Sequence, residues 1–266
     1  MKKTFSIILA LVLLLMTAAC GFSNSNPSAN ETPAASGEEP VDLSGQTLLV
    51  YCGAGMQKPF QEIAAAFQEA TGCKVNVTFA NASQIQTQIS ESQEGDFFIA
   101  GSVEEVKPVT DYVASSVNLV KHIPVLAVAA GNPKGITGVA DLAKDGVVTV
   151  IGDPESTPIG KIAKKVFSDF GVAESVHLAA TTTTAPQLAT VISLGEADAA
   201  IIWKENCNVD GVEICDTADM DAYVKTIPAA RLNFNAESEA AAAFSEFLAT
   251  DAANTIWTSY GYELAE

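Results

Sequence analysis

A repeated unit constrains this chain more than anything else in it. A short apolar run is followed by a tight junction of small residues and then by an amphipathic helical stripe. Residues 47–51 form the first run and lead into Gly53-Ala54-Gly55, after which Phe60, Ile63, Ala64, Phe67 and Thr71 share one helical face and Gly72 ends it. Residues 75–79 form the next run, Asn81-Ala82-Ser83 the next junction, and Ile85 and Ile89 the next stripe. The pattern returns at 147–151, where Pro158 suits a first helical position with Thr157 as its cap and Ile159, Ile162, Ala163, Val166, Phe167 and Phe170 follow. It returns again at 177–180, ahead of Leu188, Val191 and Ile192. Further strands are expected at 97–100 and 199–203, within the apolar stretch 119–129, and the chain ends in helices carrying Phe244, Phe247 and Trp257. Such alternation predicts an α/β fold with mainly parallel sheets and helices on both faces.

Four of these junctions share one chemistry: 53–57, 81–84, 156–160 and 182–186. Each offers backbone N–H groups, small residues, or hydroxyl and amide donors. In open α/β sheets ligands bind beyond the carboxyl ends of the strands, and a helix N-terminus carries roughly half a positive charge. Several such ends on one cleft would bind an oxyanion with no Lys or Arg. Any one junction alone reads equally as ordinary capping; the recurrence points to a site. Glycine at 53 and 55 is expected to permit positive φ and a close ligand approach around Ala54, Gly55 and Met56. Lys58, one turn inside the helix, is expected to be exposed and not a ligand.

Other functions are excluded by what is missing. The chain holds 32 acidic residues against 14 basic, a formal net charge of −18, which gives no basic face for nucleic acid. A P-loop sequence is absent, and a dinucleotide fingerprint fails because Lys58 stands where its third glycine would be. His122 and His177 lie in no metal-ligand pattern and read as structural. With no nucleophile–base set, the chain reads as a binding protein: no enzyme, no cofactor and no metal site are expected. Cys207 and Cys215 flank the turn Asn208-Val209-Asp210-Gly211, where a hairpin disulfide and two free thiols both fit. Cys52 and Cys73 fall at opposite ends of adjacent strands and are not expected to pair.

At the N-terminus, Lys2 and Lys3 precede an apolar run at 5–16 and then Thr17-Ala18-Ala19-Cys20. This is a secretory signal at 1–19, too short to span a bilayer. Cys20 after small residues looks like a bacterial lipoprotein cleavage site, although Thr17 stands where Leu is usual; an ordinary signal peptide is the alternative. Lipidation at Cys20 would hold the protein on a membrane outside the cytoplasm. Residues 20–45, rich in Ser, Asn, Pro, Ala and Glu, read as a flexible tether.

Four stretches resemble one family, the periplasmic or lipid-anchored molybdate/tungstate-binding proteins of ABC importers. They are LLVYCGAGMQKPFQEIAAAFQEATGCKVNVTF, EGDFFIAGS, GDPESTPIGKIAKKVF and VISLGEADAAIIW. The resemblance covers nearly all of 46–266. It implies a two-lobed, type II periplasmic-binding-protein-like fold that the chain crosses twice, with 46–122 and 228–266 in lobe I and 123–227 in lobe II. Crossovers are expected near 122–124 and 226–229. It also implies a small oxyanion ligand, molybdate or tungstate first, a permease and an ATPase as partners, and a monomer. By motif position, Gly55 and Ala82 stand where the family has two serines with hydroxyls for the oxyanion; Asn81 and Ser83 flank the second. Further contacts fall at Pro158 and Ile159, at Thr184 and Ala185, and at Trp203, which replaces a tyrosine and whose indole N–H donates only. The function expected is that of an extracytoplasmic solute-binding lipoprotein. The alternatives are a binding protein for another small anion and a sensor lipoprotein using the same clamshell without transport.

Overall fold

The computed structural model describes residues 41–235 and 237–265. The signal peptide, the lipidation site Cys20 and most of the expected tether lie outside the described residues. In chain order the strands are β1 (Thr47–Gly53), β2 (Lys74–Ala80), β3 (Phe97–Ile99), β4 (Val113–His122), β5 (Pro124–Ala129), β6 (Thr149–Gly152), β7 (Leu178–Thr182), β8 (Ala199–Trp203), β9 (Val212–Ile214), β10 (Lys225–Leu232) and β11 (Glu263–Leu264). The helices are α1 (Gln57–Thr71), α2 (Ala82–Ser92), α3 (Val103–Val106), α4 (Pro158–Asp169), α5 (Ala185–Ser193), α6 (Glu239–Phe247) and α7 (Asp251–Ser259).

They build two lobes around two sheets, ordered β11-β4-β10-β3-β1-β2 and β7-β6-β8-β5-β9. Strand β1 runs parallel to β2 and β3, and β6 runs parallel to β7 and β8. The remaining pairings are antiparallel: β10 with β3 and β4, β11 with β4, and β5 with β8 and β9. The two-lobed α/β fold is therefore as expected, but its sheets are mixed where mainly parallel ones were expected. A helix between consecutive strands is what makes a parallel return, and β4, β5 and β10 are the strands that carry the chain from one sheet to the other without one. The chain leaves the first sheet at Ile123 and re-enters it at Lys225. Residues 226–229, where the second crossover was expected, lie inside β10.

The period-2 alternation of strand side chains sorts the first lobe's core into two faces. Val50, Cys52, Phe97 and Ile99 pack on one side, under α1, α6 and α7. Tyr51 and Phe98 pack on the other with Ile85 and Ile89 of α2. Phe244 of α6 joins the first side, 4.9 Å from the Phe67 ring and 5.1 Å from that of Phe97. Burying a ring of that size contributes about 1.5–3 kcal/mol. Leu43, at the end of the expected tether, is fully buried in this cluster, and its N–H bonds Thr71 O at 2.8 Å. In the second lobe α4 and α5 bury Val166, Phe167, Leu188 and Ile192 against Leu126 and Ile201. Cys207 and Cys215 are free thiols, their Sγ atoms directed at Trp203 O and Ile136 O.

Candidate functional site

Helices α1, α2, α4 and α5 start where β1, β2, β6 and β7 end, so each lobe presents two helix N-termini at the carboxyl edge of its sheet. The two edges meet at the strand crossing. Strand β4 lies antiparallel to β10, which lies antiparallel to β3, so His122 closes β4 at the same edge as Gly53 and Gly101. Trp203 closes β8 at the same edge as Gly152. The His122 and Trp203 rings stack across the crossing, centroids 3.5 Å apart and tilted by 18°. Each lobe thus carries its two junctions on the sheet edge that leads to the crossing.

The first junction is a 3₁₀ turn over Ala54–Met56 that runs into α1. Ala54 and Gly55 are exposed, the Met56 side chain is buried and Lys58 is exposed. Neither Gly53 nor Gly55 has positive φ, so the conformational reason offered for these glycines is corrected. Their steric roles also differ. A Cβ on Gly55 would meet nothing within 4 Å, whereas one on Gly53 would fall 2.9 Å from Met56 Cε. At α2, Asn81 caps through its side chain, which accepts from Gln84 N at 3.0 Å, while Gln84 Oε1 accepts from Asn81 N at 3.4 Å. Ala82 and Ser83 follow in the first turn.

At α4, Thr157 Oγ1 accepts from Gly160 N at 3.1 Å and donates to Asp153 O at 2.7 Å. Pro158 is exposed and Ile159 buried. Here glycine is a packing requirement: a Cβ on Gly160 would stand 2.2 Å from Gly152 O. At α5, Gln187 Oε1 accepts from the N–H groups of Thr183 and Thr184, both at 3.2 Å, with Ala185 next in line. Trp203, placed by resemblance among the ligand donors, is buried, with His122 over its face.

Sequence reasoning passed over the polar cluster beside this edge. His122 Nε2 lies 3.0 Å from Glu205 Oε1 and Nδ1 lies 3.2 Å from Gly101 O. Gly101 N donates to Glu105 Oε2 at 2.8 Å. Burial pushes the Glu105 carboxyl above its ordinary range, opposed by that bond and by the charges of His122 and Lys161. Burial likewise raises the Tyr262 hydroxyl, with the charge of Glu205 and a hydrogen bond to it adding to the effect. The one sequence signal was a lone histidine before Ile-Pro at the end of a strand, which fits many buried histidines as well. Among the described residues no group of His, Cys, Asp and Glu side chains is arranged to hold a metal ion, and no helix is long and apolar enough to cross a membrane.

Residues 48–263 match the family model of the bacterial extracellular solute-binding proteins. The chain belongs to this family. Its members are solute-binding proteins and not enzymes. A protein of Haemophilus influenzae described only as a binding protein is 30% identical over 172 residues, 61% of this chain and 70% of that one. The molybdate-binding protein ModA of Rhodobacter capsulatus is 28% identical over 244 residues, 86% of this chain and 90% of that one. Among solved structures, a substrate-binding domain assigned to a molybdenum ABC transporter of Clostridium difficile superposes with a TM-score of 0.70 at 21% identity, covering 84% of this chain and all 100% of the other, a likeness of fold.

Proposed function

We propose that this protein is the extracytoplasmic binding protein of an ABC importer, anchored by a lipid on Cys20, and that it closes on a small oxyanion. Molybdate and tungstate are the first ligands to test. The carrying observation is that each lobe presents two helix N-termini at the sheet edge that leads to the crossing, where dipoles and neutral donors would stabilise an anion without a buried cation. In this reading 46–122 and 228–266 act as one lobe and 123–227 as the other. The ligand's oxygens take N–H groups around Ala54, Gly55 and Met56, at Asn81, Ala82 and Ser83, at Ile159 in the α4 turn that Pro158 shapes without an N–H of its own, and at Thr184 and Ala185, with the Trp203 indole alongside. The relatives named for molybdate support that choice of ligand. The monomeric protein then delivers its load to a permease driven by an ATPase, touching the membrane through its lipid alone.

Calorimetric titration of the full-length protein with molybdate, tungstate, sulfate and phosphate tests this. One equivalent of molybdate or tungstate should bind; no heat and no thermal shift with any of the four would overturn the oxyanion reading. A second reading, another small anion, rests on Gly55 and Ala82, which bring no hydroxyl to the site. A charged hydrogen bond is worth about 1.5–3 kcal/mol, so two missing hydroxyls are enough to move selectivity, and preferential binding of sulfate or phosphate would favour this reading.

A further inference from the structure

We propose that Glu105 is a specificity-determining residue of the cleft: its carboxylate is an acceptor set among donors, and it favours an oxyanion that carries a proton, such as hydrogen phosphate, over one of equal charge that carries none, such as sulfate or molybdate. The proposal rests on the oxyanion reading above and deepens it. It bears on the protonation of the anion and not on its central atom.

The position of the side chain carries it. Glu105 belongs to α3, which follows β3. It lies beside two of the four junctions and within the electrostatic reach of a third. Its Oε2 accepts from Gly101 N at 2.8 Å. Gly101 N stands 3.9 Å from where a Cβ on Gly53 would be, so the carboxylate is next to the β1–α1 turn. The backbone oxygen of Glu105 accepts from Gln86 Nε2 at 2.8 Å, which holds α3 against the helix whose N-terminus is the second junction. From the other lobe its charge is felt by Lys161, in the first turn of α4. The other two lysines of α4 pair within their own lobe, Lys164 with Glu155 and Lys165 with Asp169. Lys161 makes no salt bridge among the described residues, so no direct contact with a cation neutralises Glu105.

The carboxylate also has an oxygen to spare. Among the described residues no donor bonds Oε1. Burial works against the charge of the group, as does the like charge of Glu104, while the Gly101 bond, His122 and Lys161 support it. An ionised carboxylate only accepts hydrogen bonds. Against an oxyanion stripped of protons it sets acceptor against acceptor and like charge against like. An anion with one hydroxyl can turn its O–H to Oε1 and leave its other oxygens to the helix N-termini. A site that bonds a ligand's hydroxyl rejects an analogue without it, because the site's own polar group is then left unpaired. An unpaired charge set against the wrong ligand gives specificity in the same way. Sulfate and hydrogen phosphate are the matched pair, two tetrahedral dianions that differ by one proton.

The test is calorimetry at pH 8 on the full-length protein and on Glu105→Gln, with sulfate, hydrogen phosphate and molybdate. The glutamine keeps an oxygen for Gly101 N and offers an N–H where Oε1 was. The parent should bind hydrogen phosphate more tightly than sulfate. In the variant, affinity for sulfate and molybdate should rise at least about tenfold, while that for hydrogen phosphate should not rise. A change by the same factor for all three anions would mean that Glu105 supports the fold alone and would overturn the proposal. So would unchanged affinities, weaker binding of sulfate and molybdate, or a parent with no preference for hydrogen phosphate over sulfate. Should Glu105→Gln fail to fold, that comparison in the parent decides. If neither protein binds any of the three anions, the proposal falls together with the oxyanion reading; if they bind and their ratio stays fixed, it falls alone.

Discussion

The β1–α1 junction of the first lobe and the β6–α4 junction of the second make the same strand-to-helix turn in opposite ways. In the first, no side chain caps the helix, Met56 turns its side chain into the core, and the space beside Gly55 is open. In the second, Thr157 fills the cap and Gly160 lies so close to Gly152 that nothing larger fits. A glycine therefore means access in one lobe and contact in the other. An uncapped helix end with room beside it is free to take an outside acceptor, whereas a capped and crowded one contributes chiefly its dipole. In the proposed site this makes the β1–α1 junction the principal source of direct hydrogen bonds and the β6–α4 junction a wall beside them.

The comparison breaks first at its most crowded point. Gly160→Val places a side chain against backbone at 2.2 Å, and urea unfolding should show a loss of at least about 3 kcal/mol, the upper range for overpacking. The matching change in the first lobe, Gly55→Val, should leave stability within about 1 kcal/mol, because the position is exposed and the space open. Its effect should appear in binding: calorimetry should give molybdate affinity reduced at least about tenfold, or 1.4 kcal/mol, as the new branch occupies the approach to the α1 N-terminus. Unchanged affinity in the folded variant would assign the open turn no part in binding. A smaller change, Thr157→Ala, removes the side-chain cap of α4 and should cost about 1 kcal/mol in unfolding experiments. No comparable cap exists at α1 to remove.

Much of the fold was legible in the sequence because burial imprints a period. The stripe Phe60, Ile63, Ala64, Phe67 is the buried face of α1, and Ile162, Ala163, Val166 and Phe167 lie buried on α4. Caps at Asn81 and Thr157 were legible because they are local, acting over three residues. Strand direction was not, since the pairing of β10 with β4 joins residues about a hundred positions apart, and no local pattern records it. The two kinds of glycine were not distinguishable either, because the atoms that crowd Gly160 come from the preceding strand. The His122 cluster was beyond reach for the same reason: Glu205 stands 83 residues away, and no local pattern showed that the His122 ring would lie over Trp203.

The smallest effect expected is the sharpest test of how the open junction works. Lys58 is the cation nearest the α1 N-terminus in sequence, and it is exposed. If it attracts the anion, the first lobe binds by net charge and the contrast between an open and a crowded helix end loses its meaning. If the backbone does the binding, Lys58→Ala removes an exposed charge in high dielectric, worth less than about 1 kcal/mol. Attraction by an exposed lysine is also screened over about 10 Å at 0.1 M ionic strength, whereas hydrogen bonds to N–H groups in a closed cleft are not. Titration of Lys58→Ala with molybdate at low and at high salt should therefore give curves within about threefold of the parent protein, with the same salt dependence. A larger loss that vanishes in high salt would transfer the role from the turn to the lysine and leave Gly55 as packing alone.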